Sequence, residues 1–164
     1  MSGLNQVRQA VIRALNGAGL KTVPAYEGAA KRYDGAVIAV DVGAVSGRPK
    51  AVGGYLGETF DPKELRIREV YGCQLDVTLT LDVWAKNAAD CEAACEKAAE
   101  TLFSGGLPSG LRLEEQSWEA ISWDRNNQMF LRKAKVSGRG FFTASLDEEG
   151  ARLIDFRLKG VLIQ

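Results

Sequence analysis

Three cysteines carry the most reactive side chains of this 164-residue chain, at positions 73, 91 and 95. Cys91 and Cys95 lie one helical turn apart, in a segment where small apolar residues recur at helical spacing. A C-x3-C pair within a helix lacks the usual spacing of zinc ligands, and no second pair completes a set of four. We therefore interpret all three as small buried apolar residues and predict no metal site, with metal binding or a redox role as alternatives.

Other catalytic chemistry is poorly represented. Histidine is absent from the sequence, which removes Ser-His-Asp and Cys-His nucleophile pairs and histidine metal ligands. No phosphate-binding motif of the G-x-x-x-x-G-K-[ST] or G-x-G-x-x-G type is present in a strand–helix setting. The glycines at 53, 54 and 57 predict a loosely held strand or loop, because no helix start follows them. We predict that the protein is not an enzyme and needs no cofactor, although carboxylate catalysis stays open.

The overall composition is that of a soluble globular protein. Of the residues 46% are hydrophobic and 26% are charged, and Lys+Arg and Asp+Glu balance at 21 each. This balance provides no global field to attract nucleic acid or an anionic membrane. The N-terminal stretch has no unbroken apolar run, so we expect neither a signal peptide nor a membrane span. The sequence predicts one soluble domain, residues 1–164, made in the cytoplasm.

Two stretches have the periodicity of amphipathic helices. In the first, about residues 4–17, apolar residues recur three and four positions apart, and Gly17 and Gly19 are candidate stop signals. In the second, about residues 88–103, small apolar residues form a narrow face suited to close packing on a sheet. Asn87 is the predicted N-cap of this second helix.

Strand patterns fill most of the remaining chain. From Cys73 to Val83 every second residue is apolar, which predicts a half-buried antiparallel strand that spans roughly 40 Å. The other predicted segments, in chain order, are a strand at 35–45, a turn at 46–50, a return strand at 51–58, a polar connection at 59–66, strands at 111–123 and 129–145 around a polar hairpin tip at 124–128, and a closing strand at 154–162. The predicted fold class is α+β, mainly an antiparallel sheet with two packed α-helices.

The order of these elements resembles one small protein family. An N-terminal amphipathic helix, a glycine-containing pair of strands and a long alternating strand ending in "DVWAKNAADCEAACEKAAETL" are similar to the tail terminator proteins of long-tailed bacteriophages and related contractile phage-tail-like particles. The polar tip "WDRNNQ", 123–128, fits the same pattern. The resemblance implies a virion structural protein whose ring, usually a hexamer, caps the tail tube. That ring would end tail polymerisation and join the tail to the head connector or neck.

The resemblance also implies the partners and the location. The partners would be further copies of the chain, the tail tube or sheath protein, and a head–tail connector or neck protein, with DNA passing through the ring lumen and no membrane. The protein would be assembled in the bacterial host cytoplasm and would end in the virion tail or neck. Two alternatives stay open: another neck or tail-completion component, and a small-molecule-binding domain or carboxylate-dependent enzyme, which would need a deep pocket with converging polar groups.

Trp84 is the first candidate interaction residue. It follows Val83 and therefore points to the opposite face from the apolar row of the long strand. There it either contacts a neighbouring molecule, as aromatic residues often do at the centres of interfaces, or forms a local lid over the strand end.

A cationic segment supplies the other candidates. No acidic residue lies between Asp124 and Asp147, and the basic residues there are Arg125, Arg132, Lys133, Lys135 and Arg139. Lys133, Lys135 and Arg139 share one parity and are predicted to project from one face of the sheet. This row is either a solvated outer face or, repeated around a ring, a positive belt that meets an acidic partner ring or lines a lumen for DNA.

Overall fold

The computed structural model describes residues 3–25, 34–49, 51–63, 65–104, 107 and 111–147. Within them the chain forms two α-helices, one short 3-10 turn and seven β-strands. These are α1 (Gly3–Gly17), β1 (Thr22–Pro24), β2 (Val37–Pro49), the turn Val52–Gly54, β3 (Tyr55–Asp61), β4 (Arg66–Ala85), α2 (Ala88–Phe103), β5 (Leu111–Trp118), β6 (Ser122–Asp124) and β7 (Met129–Asp147).

Two compact units share these elements. Met1–Ser46 and Leu75–Gly140 form the first, which contains both described helices and is called the helix-bearing unit here. Gly47–Gln74 and Phe141–Gln164 form the second, called the hairpin unit. β2, β4 and β7 contribute residues to both. The interpretation of residues 1–164 as one domain stays a prediction.

α1 ends in a Schellman motif. Gly19 has a φ of 81°, a conformation that glycine adopts without steric cost. Its N–H donates to the Asn16 carbonyl at 2.9 Å, and the N–H of Leu20 donates to the Leu15 carbonyl at 3.0 Å, so carbonyls that the helix leaves unpaired are satisfied. This confirms Gly19 as a stop signal.

α2 begins at the predicted cap. The Asn87 side-chain oxygen accepts a hydrogen bond from the Asp90 backbone N–H at 2.7 Å, which satisfies one of the free donors of the first turn. The small residues of the helix form its buried face, namely Cys91, Ala94, Cys95 and Ala98, together with Leu102. Because these side chains are short, the axis of α2 can lie close to the sheet. α2 contacts both α1 and β5.

The sheet of the helix-bearing unit has the strand order β1-β2-β4-β7-β5, and β6 pairs with the start of β7. β1 runs parallel to β2, whereas β5 and β6 each run antiparallel to β7. The sheet as a whole is mixed and mostly antiparallel. This confirms the predicted α+β class with two packed α-helices.

The core lies in the helix-bearing unit. On β4, the alternating residues Val77, Leu79, Leu81 and Val83 are at most 3% exposed. They pack in one cluster with Val11 and Leu15 of α1 and with the small residues of α2. Burying a side chain of this size contributes about 1.5–3 kcal/mol, so this row holds the helices on the sheet. The predicted apolar parity is confirmed from Val77 to Val83, whereas Cys73 and Leu75 at the start of the row are only half-buried. β4 is longer than predicted.

The hairpin unit contains an antiparallel pair. β3 pairs with the first part of β4 from Asp61↔Arg66 to Tyr55↔Tyr71, with a register shift between Tyr55 and Gly57. The turn before β3 contains Gly53 and Gly54, whose φ values are 65° and 80°. A backbone of this kind suits a turn rather than an extended strand.

Three local predictions around this pair were wrong. A turn was predicted at 46–50, but residues 46–49 form the end of β2. The predicted return strand at 51–58 starts only at Tyr55, because the glycine-rich part before it forms the 3-10 turn. The predicted connection at 59–66 instead contains the end of β3 and the first residue of β4. The predicted closing strand at 154–162 lies outside the described residues.

Candidate interaction site

Trp84 lies where the sequence placed it, off the apolar row. Its neighbours Val83 and Ala85 are fully buried, whereas Trp84 is half-buried. Its indole N–H donates a long hydrogen bond, 3.4 Å, to the Asp124 carboxylate at the end of β6. Trp84 therefore connects the end of β4 to the polar hairpin tip.

Asp124 organises that hairpin tip. Its carboxylate also accepts hydrogen bonds from the Asn126 backbone N–H at 3.0 Å and the Asn127 side-chain amide at 2.7 Å. These bonds hold the pKa of Asp124 below its usual range, and the bond from the Asn127 side chain has the largest effect. The predicted tip at 124–128 is confirmed, since β6 ends at Asp124 and β7 begins at Met129. Arg125 is exposed in the turn between them.

The predicted parity of the basic row is confirmed. Lys133, Lys135 and Arg139 are exposed, while Ala134 and Val136 between them are buried in the core. Arg132 has the other parity. Its Nε donates to the Glu119 carbonyl at 2.8 Å, and its guanidinium lies 5.9 Å from the ring centroid of Trp118. Arg132 therefore stabilises the segment between β5 and β6 and does not belong to the row.

Carboxylates on neighbouring strands neutralise part of this row. Arg139 forms ion pairs with Asp76 at 3.4 Å and with Glu114 at 3.5 Å. These residues line an open depression of about 320 Å³, which Thr78 and Ser137 also border. Because both carboxylates face one guanidinium, they are arranged as an ion-pair network and not as a free acid–base pair.

Lys133 lies close to a second acidic group. Partial burial raises the pKa of the Asp82 carboxyl, Lys133 opposes this rise, and Glu119 and Asp41 reinforce it. Lys133 therefore compensates part of a cluster of negative charge on the same face. Arg139 is thus the member of the row that forms ion pairs with described residues, and neither Lys133 nor Lys135 forms one with them.

Cys91 and Cys95 have the environment of buried apolar residues. Cys91 and Cys95 are at most 3% exposed, and the Cys91 Sγ–H points to the Val83 carbonyl at 3.6 Å. Burial raises the pKa of Cys91, and it raises the pKa of Cys95 to about 12, so both are thiols at neutral pH. The interpretation of Cys73 as a buried residue was wrong, because Cys73 lies in the part of β4 that belongs to the hairpin unit and is only half-buried. In the ranges described above, no group of three or more Cys, Asp or Glu side chains could hold a metal ion.

The sequence did not predict the most exposed apolar surface. Of the eight large apolar residues that are exposed within the described ranges, six belong to the hairpin unit: Val52, Tyr55, Leu56, Phe60, Leu65 and Phe141. All the buried apolar residues in those ranges lie in the helix-bearing unit. A signal that could have revealed the first part of β4 is the common parity of Ile67 and Tyr71.

No described helix is long and apolar enough to cross a membrane. No protein-family model matches the sequence, and no curated protein matches it. Among solved structures, the chain is similar to one chain of a structure titled "Virion of native gene transfer agent (GTA) particle". The two are 14% identical, the match covers 83% of this chain and 95% of the other, and the TM-score is 0.42. A likeness of this degree does not indicate a function.

Proposed function

We propose that this protein is a structural component of a phage-tail-like particle and acts as its tail terminator. In this role, copies of the chain form a ring, a hexamer by the family resemblance, that caps the tail tube and ends its polymerisation. The upper side of the ring then provides the joint to the head connector or neck, and its lumen passes DNA. The protein needs no cofactor for this and performs no catalysis.

The observation that supports an assembly role is the hairpin unit. It exposes Phe60 at 60% and Leu65 at 76% of their surface, and it has no buried apolar residue in its described part. Strands that bury no apolar face are marginally stable in water unless something packs against them. Tyr55 and Phe60 share one face of the β3–β4 pair, and exposed apolar residues that share a face are typical of a surface that another molecule covers. The role of terminator itself comes from the order of elements in the sequence.

Two other functions are less well supported. A different neck or tail-completion component would use the same exposed surfaces, so only its position in the particle distinguishes it from a terminator. A small-molecule-binding domain or carboxylate-dependent enzyme would need a pocket, and the depression beside Arg139 is the candidate. Its Asp76 and Glu114 already pair with Arg139, which disfavours this function.

A tube-capping assay tests the proposal. The tail tube protein of the same particle is polymerised alone and with this protein added, and tube lengths are measured by negative-stain electron microscopy. A terminator added after polymerisation has begun stops further growth and leaves a ring at one tube end. If the length distribution is unchanged and both ends stay bare at saturating protein, the terminator function is wrong.

A further inference from the structure

The face of the β3–β4 hairpin that carries Phe60 combines aromatic and acidic side chains. Residues that pair directly across an antiparallel ladder point to the same side, so the register determines this face. Its members are Tyr55, Glu58, Phe60, Ile67, Glu69 and Tyr71. We call these six residues the hairpin face. Phe60 is 60% exposed and Tyr55 39% exposed, so a partner can reach the Phe60 ring.

Glu58 and Glu69 lie directly opposite each other on this face. Like charges in this arrangement destabilise a strand pair. The Tyr71 hydroxyl donates to Glu69 at 2.6 Å and the Tyr55 hydroxyl donates to Glu58 at 3.4 Å, and the two tyrosine rings pack edge to face with centroids 5.7 Å apart. No cation in the described part of the chain forms an ion pair with either carboxylate. A positive group placed between them would relieve their repulsion.

Guanidinium is the cation that fits such a face best. It is planar, so it stacks on aromatic rings, and it donates hydrogen bonds in a fork that can serve two carboxylates at once. An ammonium group is neither planar nor forked. The hairpin face therefore has the chemistry of an arginine-binding surface.

The hairpin tip between β6 and β7 presents an arginine of the required kind. Arg125 is exposed there, and beside it Trp123 is 50% exposed and packs edge to face on Phe130, with centroids 5.0 Å apart. The hydrogen bonds of Asp124 hold the turn in shape, so little order has to be gained on binding. Arg132 and Arg139, in contrast, already have partners of their own.

We propose that the hairpin face of one copy binds the hairpin tip of a second copy, with the Arg125 guanidinium between Glu58 and Glu69 and Trp123 against Phe60. Opposite charge and exposed aromatic rings make the two surfaces complementary. Because they are different surfaces, the contact is head to tail, and a contact of this type generates a closed ring when the rotation between neighbouring copies closes. The inference rests on the proposed function, since it names the contact between neighbouring subunits of the ring.

Charge reversal in trans tests this contact. Glu58→Lys with Glu69→Lys, and separately Arg125→Glu, each weaken self-association about 30-fold or more in analytical ultracentrifugation, as expected when one side of a desolvated charge pair is lost. Mixing the two variant proteins restores association of alternating copies, because the unchanged tip of the first matches the unchanged face of the second, and the two charge-reversed surfaces again carry opposite signs. Two control variants carry matched charge changes at other exposed sites. The first combines Glu96→Lys with Glu100→Lys, and the second is Arg112→Glu. Both associate as the original protein does. Circular dichroism confirms that all variants are folded.

Photocrosslinking from position 60 identifies the occupant. With p-benzoylphenylalanine in place of Phe60 and a mixture of ¹⁴N- and ¹⁵N-labelled chains, the proposal predicts mixed-isotope crosslinks to a peptide containing residues 122–132. Crosslinks confined to the same chain, for example to residues 148–164, overturn it, and so does a failure of the mixed variants to associate. If association and rescue occur as expected but tubes are not capped, the contact holds and the terminator function is wrong.

Discussion

At the scale of single residues, Asp82 is the group whose protonation should affect stability most clearly. Its folded-state pKa is raised, chiefly by partial burial, with Lys133 opposing and Glu119 and Asp41 reinforcing the shift. A raised pKa means that the folded state holds this proton more tightly than the unfolded chain does. The resulting stabilisation is present below the unfolded pKa of about 3.9 and is lost as the pH rises through the folded value.

Asp82→Asn should therefore raise the melting temperature at pH 7, because the ionised carboxylate no longer disfavours the fold. The gain should shrink towards pH 3.5, where Asp82 of the original protein is protonated as well. Asp34→Asn is the control with the opposite sign, because the exposed Asp34 carboxylate accepts a hydrogen bond from Lys86 at 3.0 Å and its pKa is lowered. Thermal unfolding at both pH values checks this, and a lower melting temperature for Asp82→Asn at pH 7 would contradict it.

Trp84 is the second residue whose substitution gives a test, because its hydrogen bond and its ring can be removed separately. Trp84→Phe keeps most of the ring but removes the indole N–H that donates to Asp124, so we expect a loss of about 0.5–1 kcal/mol of unfolding free energy. Trp84→Ala also removes the ring and distinguishes a local lid from an interface residue. A folded Trp84→Ala monomer indicates a contact between molecules, and global unfolding indicates a lid. Chemical denaturation and sedimentation measured on the same samples decide between the two.

At the scale of elements, the β5–β7 pair depends on one glycine. A β-carbon at Gly138 would lie 2.7 Å from the Arg112 carbonyl oxygen and 2.7 Å from Leu113 Cδ2, at the register shift between the strands. Gly138→Ala should therefore destabilise the protein by about 1–3 kcal/mol through overpacking. The control is Gly17→Ala, since a β-carbon there meets no atom within 4 Å. Equal stability of the two variants in urea denaturation would show that the strands adjust without cost.

The elements also show which features the sequence could predict. The row from Val77 to Val83 was predictable because a strand with one buried face must alternate. The cap at Asn87 and the stop at Gly19 were predictable because they satisfy backbone groups locally. The extended conformation of residues 46–49 was not predictable. Ser46, Gly47 and Pro49 are typical turn residues, and strand pairing is a non-local property.

The same distinction holds for the candidate site. The common face of Lys133, Lys135 and Arg139 follows from a period of two along one strand. The acidic neighbours of these residues could not be predicted in this way. Asp76, Asp82 and Glu114 lie on other strands, and the strand order of the sheet brings them near the row. The hairpin face was missed for a related reason: β3 is short and irregular in sequence, and its pairing with β4 determines which of its residues share a side.

At the scale of the whole molecule, the basic row is expected to act only when many copies assemble. Lys135 is the residue to change, because reversing Lys133 or Arg139 would place a new carboxylate beside existing ones. We expect Lys135→Glu to keep the ring, seen by native mass spectrometry, and to weaken binding to the tail tube several-fold at low ionic strength. The difference should vanish near 1 M salt, where the screening length is about 3 Å. Lys97→Glu, on the exposed side of α2, is the matched control. Unchanged tube binding at low salt would identify the row as a solvated face.

The central claim is that this chain closes the end of a tail tube as a ring, and its position in the native particle tests that claim most directly. Cryo-electron microscopy of the intact particle should show this fold as a closed ring on the head-proximal end of the tube. The hairpin face of each subunit should lie against the β6–β7 tip of the next. A ring separated from the tube by another protein would assign the chain to the neck instead. Density along the tube, or a particle without the chain, would contradict the account.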